Sequence, residues 1–136
     1  MYLIDTNIWL ERLLDQEQSA LVGAFLASVS TARLLISDFS LHSIGIILLR
    51  LERQSTLLRF IQDLFVDGKV LLVSVQPAAL DSVISAAEQF RLDFDDAYQY
   101  TAAVQADAGI VSLDGDFDRT DRGRQTPAQA LAKEAG

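Results

Sequence analysis

Residues Arg91–Asp118, RLDFDDAYQYTAAVQADAGIVSLDGDFD, decide how the rest of the chain is read. Seven aspartates are set among two apolar patterns. Asp93, Asp95 and Asp96 come directly before a helical spacing of Ala97, Tyr100, Thr101, Val104 and Ala108. Carboxylates there can cap free N–H groups and meet the positive end of the helix dipole. Gly109-Ile-Val-Ser-Leu113 reads as a buried strand, and Asp114, Asp116 and Asp118 follow at once. In an open α/β sheet, ligands bind beyond the carboxyl ends of the strands, where these three fall. Taken singly, each feature is also what an ordinary cap or a solvated turn looks like. The Asp114, Asp116, Asp118 alternation is not a calcium loop, which needs glycine sixth and glutamate twelfth; this chain has Arg119 and Gln125 there.

Outward from this stretch, strand and helix patterns alternate. Met1-Tyr-Leu-Ile4 and Arg33-Leu-Leu-Ile-Ser37 read as strands ending at Asp5 and Asp38. Lys69-Val-Leu-Leu-Val-Ser-Val75 is almost wholly apolar, which predicts a central strand buried on both faces. Helical spacing recurs between them, at Ile8–Leu14, at Leu21–Val29, and from an expected N-cap at Ser40 through Leu41, Ile44, Leu48 and Leu51. A further helix over Leu57–Phe65 is expected to stop at Gly68, and Pro77 to open the next. Pro127 opens a last, short helix to Glu134. The alternation predicts an α/β fold in one domain, residues 1–136, with a central, mainly parallel sheet of four to five strands between helical layers. In a parallel sheet all strand ends share one edge. Asp5, Asp38 and Asp114, each following a strand, and Asp96, opening a helix, can therefore converge there.

Composition narrows the chemistry. The chain has 136 residues, half of them hydrophobic, which excludes disorder and allows a substantial core. No apolar run approaches the roughly 20 residues of a membrane span, and no basic, apolar leader precedes Asp5. With no cysteine, the chain has neither disulfides nor thiolate metal sites, which fits the cytoplasm. A single histidine, His42, argues against Ser-His-Asp catalysis and against zinc held by several imidazoles. A net charge of −8 argues against nonspecific nucleic-acid binding through a basic face, but it suits an acidic site holding magnesium or manganese, whose preferred ligands are hard oxygens.

The residues resemble the PIN-domain family, metal-dependent ribonucleases that include many toxins of bacterial toxin–antitoxin pairs. Leu3-Ile-Asp5-Thr-Asn7 is similar to the family's opening strand and first acidic residue, with Thr6 and Asn7 as supporting polar groups. Asp96-Ala97 on an alanine-rich helix matches its helix-start aspartate. Val111-Ser112-Leu113-Asp114, followed by Asp116-Phe117, matches its strand-end motif, and Thr126-Pro127 its close. The order and spacing run almost from end to end. One departure stands out. The family's catalytic glutamate, which follows a Ser or Thr after two intervening residues, is replaced here by Ser43 in Ser40-Leu-His-Ser43.

The resemblance implies a PIN-type α/β/α sandwich in which Asp5, Asp96 and Asp114 hold Mg²⁺ or Mn²⁺ against an RNA phosphodiester. Asp116 is then an auxiliary ligand, Ser112 a supporting polar group, and Asp93 a cap. An antitoxin protein and a second copy of the chain are implied partners. Loss of the carboxylate at Ser43 implies a weakened activity, with Asp38 or the nitrogen of His42 as substitutes. Arg119, Arg122 and Arg124 either meet RNA phosphates or form a solvated turn. Two other readings stay open: a PIN fold that binds RNA or protein without cutting, and a different acid-rich α/β fold, an aspartyl phosphohydrolase or receiver. The first such hydrolase aspartate is commonly followed two residues on by another, where this chain has Asn7. A receiver wants a late lysine, and there is none between Lys69 and Lys133.

Overall fold

The structure, a computed structural model of all 136 residues, is built on four short strands. These are β1 (Tyr2–Ile4), β2 (Leu34–Ser37), β3 (Leu71–Val73) and β4 (Gly109–Val111), in the order β3-β2-β1-β4, every pair parallel. Parallel neighbours cannot be joined by a tight turn, so each connection crosses the sheet through helices. Helices α1 (Thr6–Leu13) and α2 (Ser19–Ser28) link β1 to β2. Helices α3 (Asp38–Arg50) and α4 (Gln54–Ile61) link β2 to β3, and α5 (Leu80–Phe90) and α6 (Phe94–Gln105) link β3 to β4. A final helix, α7 (Pro127–Ala135), packs on α2.

Alternation along the strands makes two cores. Tyr2, Ile4, Leu34 and Ile36 enter one helical layer with Trp9, Phe25, Ile44 and Leu48. Leu3, Leu35 and Ile110 enter the other with Val83, Ala97, Ala103 and Phe117. Because both faces are covered, these strands read as unbroken apolar runs and not as alternating ones. The result is the expected three-layer α/β/α sandwich. A one-residue parallel bridge between Val111 and Gln125 is all there is of a fifth strand.

Three expectations are corrected. The Lys69–Val75 run forms an edge strand, not a central one: Leu71 and Leu72 are 53% and 52% exposed, while Val70 and Val75 beside them are buried. An apolar run marks a strand but not its rank in the sheet. Ser40 does not cap α3; Ser37 does, its hydroxyl accepting the Ser40 N–H at 3.0 Å, which leaves Ser40 buried inside the helix. Pro77 opens a 3₁₀ turn ahead of α5. Gly68 ends the α4 segment by close approach, since a Cβ there would lie 2.6 Å from the Asp63 carbonyl oxygen.

Sheet order also fixes where chemistry can sit. From β1 the chain builds outward to β2 and β3, then returns to the opposite side of β1 for β4. The crevice at the carboxyl ends of β1 and β4 is the point where strand order reverses, the preferred ligand position of open parallel sheets.

Candidate metal centre

Asp5 leaves β1 at that crevice. Its N–H extends the β4 ladder to the Val111 carbonyl at 3.0 Å, and its side chain caps α1 by accepting the Thr6 N–H at 2.8 Å. The same carboxylate accepts from Gln99 Nε2 at 2.9 Å and Ser112 Oγ at 2.7 Å, with Asn7 Nδ2 at 3.3 Å. Burial pushes the Asp5 carboxyl above its usual range, the Gln99, Ser112 and Thr6 hydrogen bonds pull it back, and the charge of Asp114 raises it. Asn7 and Ser112 also bond each other and receive the N–H groups of Leu113 and Asp114, so they tie the β1 end to the β4 end.

Asp96 and Asp114 reach the crevice from different elements. Asp93 caps α6, accepting the Asp96 N–H at 2.8 Å, which fixes Asp96 in the first turn. Asp114 caps the 3₁₀ turn Gly115–Arg119 through the Asp116 N–H at 2.9 Å. Asp96, Asp114 and Asp116 each bring a carboxylate oxygen within 4.8 Å of the others. Burial, then the charges of Asp114, Asp93 and Asp5, push Asp96 up to about 7. A cluster of like charges that forces a proton onto one member fits a hard divalent cation, which relieves the same repulsion. Asp5 and Asp114 each cap the element that begins at this crevice.

The other singled-out residues fall as follows. Thr6 Oγ1 shares a 2.8 Å hydrogen bond with Ser40 Oγ, and Ser40 also accepts from Gln99. Ser43 is half-buried one turn further along α3. Asp38 lies in the first turn of α3 and accepts the Tyr98 hydroxyl at 2.8 Å, apart from the three clustered carboxylates; His42 is exposed. Arg119 is bound to the Phe90 and Arg91 carbonyls and to Asp116. Arg122 is bound to Asp107 and the Ala108 carbonyl, and Arg124 to Asp118 and the Ser112 carbonyl. These arginines brace the loop after β4. Gln99 was not singled out from the sequence; a lone uncharged amide at a core-facing position of α6, three residues after Asp96, was its only signal.

The model of the PIN domain matches residues 2–123. The chain belongs to the PIN-domain family. No curated protein matches the sequence. Among solved structures, this PIN-domain protein is similar to a chain of a toxin–antitoxin complex from Klebsiella pneumoniae, with 14% identity and a TM-score of 0.76 over 93% of this chain and 98% of that one. It is also similar to a chain of FitAcB from Neisseria gonorrhoeae, at 22% identity and a TM-score of 0.71 over 94% and 99%. PAE2754 from Pyrobaculum aerophilum follows at 21% identity and a TM-score of 0.67 over 98% and 94%. At such identities the likeness is one of fold. No helix of the chain is long and apolar enough to cross a membrane.

Proposed function

We propose that this PIN-domain protein is a Mg²⁺- or Mn²⁺-dependent endoribonuclease, the toxin of a toxin–antitoxin pair acting in the cytoplasm. The observation that carries the reading is the gathering of Asp96, Asp114 and Asp116 beside buried Asp5 at the strand-order reversal. Asp5, Asp96 and Asp114, with Asp116 as auxiliary, would hold the cation. A divalent cation supplies a more acidic water and offsets charge on the phosphoryl oxygens. The chain's own part is placement. Gln99, Ser112 and Asn7 orient the Asp5 carboxylate, and the caps at Asp93 and Asp114 set the approach of the other two. No protein nucleophile is needed, which suits a chain with no cysteine and an exposed lone histidine. The toxin–antitoxin complex among the similar structures supports an antitoxin protein as partner.

A second reading, a PIN fold that binds RNA without cutting it, is favoured by one observation: Ser43 stands where the family has its glutamate. Single-stranded RNA incubated with and without Mn²⁺, using wild type and Asp96→Asn, separates the two. Manganese-dependent cleavage lost in Asp96→Asn supports the nuclease. Binding without cleavage supports the second reading.

A further inference from the structure

On the side of α6 turned away from the carboxylates, Phe94 and Tyr98 stand one turn apart and form an open cleft of about 490 Å³ with Phe39, Asp38 and His42 of α3. Phe94 is 57% exposed. The ring centroids of Phe94 and Phe39 lie 6.2 Å and 6.5 Å from that of Tyr98, with the ring planes tilted by 40° and 58°. Tyr98 is fixed at both ends of its hydroxyl, donating to Asp38 Oδ1 and accepting the Val75 N–H at 2.9 Å. Asp38 Oδ1 also takes the Phe39 N–H, and Oδ2 has no protein partner.

The cleft shares the N-terminal end of α6 with Asp96, on the opposite side of the helix. Phe94 and Tyr98 bracket Asp96 on α6, so Phe94 is about 3 Å from Asp96 along the helix axis. Asp38 and His42 bracket Ser40, which reaches Asp5 through Gln99. The protein carries −8 net charge, and the three arginines of the loop after β4 are bound to carbonyls and aspartates of the chain itself. Affinity for a polyanion therefore has little to draw on from phosphate contacts. Aromatic faces supply the other source, because every base has a π-face to stack.

We propose that this cleft is a base pocket. An unpaired nucleobase of an RNA strand lying across the carboxylates stacks on Phe94 and Tyr98, and Asp38 Oδ2 accepts from an amino group on the base edge. The assignment rests on the nuclease reading above and adds a contact that this reading does not need.

The test uses the full chain with Asp96→Asn, to prevent cutting, and fluorescein-labelled single-stranded RNA followed by anisotropy in Mn²⁺. Adding Phe94→Ala should weaken binding about five- to a hundredfold, with an unchanged melting temperature because the ring is exposed. An abasic site at the recognised position should cost the same factor without Phe94→Ala and nothing further with it. RNA binding or wild-type cleavage indifferent to Phe94→Ala would overturn the pocket and leave the nuclease reading standing. Binding that follows this pattern without wild-type cleavage would support the pocket and sink the nuclease. If Phe94→Ala turns a dimer into a monomer in sedimentation while RNA affinity holds, the cleft belongs to a second copy and the proposal falls.

Discussion

Asp96 is crowded by its acidic neighbours. Its carboxyl is held at about 7 against an ordinary 3.8, by burial and by Asp114, Asp93 and Asp5. Below about 3.8 both folded and unfolded chains carry the proton, and the favourable contribution is fully present. Above that the unfolded chain releases its proton first and binds fewer than the folded one, so stability falls until the pH has passed about 7. Metal-free Asp96→Asn should therefore gain on wild type in melting temperature as pH rises from 4 to 7; parallel profiles would count against a shifted Asp96. Divalent metal competes with that proton, so its affinity should rise over the same window. Ser43→Glu is the complementary test. It adds a carboxylate one turn beyond Ser40, in the second turn of α3. We expect tighter Mn²⁺ binding by calorimetry and faster RNA cleavage. Slower cleavage, together with loss of wild-type cleavage in Asp38→Asn, would mean that Asp38 already serves. Asp5, Asp96 and Asp114 were legible because each stands at an element boundary, where a carboxylate has a backbone reason to be. Gln99 was not, because its role depends on α3 and α6 meeting across the sheet edge, and local periodicity carries no record of that meeting.

Among the elements, β3 shows what an apolar run leaves open. Four hydrophobic residues in a row mark a strand, but which side chains are covered depends on the neighbours the sheet supplies. With only β2 beside it, β3 leaves Leu71 and Leu72 half exposed. Leu72→Lys should change unfolding free energy in urea by no more than about 0.5 kcal/mol. Leu35→Ala in β2, 2% exposed, should cost about 2–5 kcal/mol. Similar losses for the two would mean that β3 is covered in solution. The end of the chain makes a quieter case. The Thr126 hydroxyl accepts the Gln129 N–H while the Gln129 side chain accepts the Thr126 N–H. Thr126→Ala should cost about 1 kcal/mol by the same measurement.

At the scale of the whole molecule, the alternation of strands and helices made the layers readable, since parallel strands require covered faces. Sheet order was not readable, because it depends on which way each crossover turns. That order brings the acidic groups together, and their repulsion should make the protein respond to metal as a unit. Saturating Mn²⁺ should raise the melting temperature, by about 2.7 kcal/mol of added stability at a hundred times the dissociation constant. A melting temperature indifferent to millimolar Mn²⁺ would argue against the cluster as a cation site. The tie between Asp5 and Ser112 has a further consequence, in time. It joins residues 107 positions apart, and β1 pairs with β4 over a similar span. On a ribosome adding about 5–20 residues per second, Asp5 emerges about 5–20 s before its partner is made. A chain stalled or cut short anywhere before Ser112 thus holds the first aspartate without the hydroxyl that ties it to β4, and without Asp114. Whatever activity the finished protein carries is withheld from every copy that ends before β4 by the order in which its strands are synthesised.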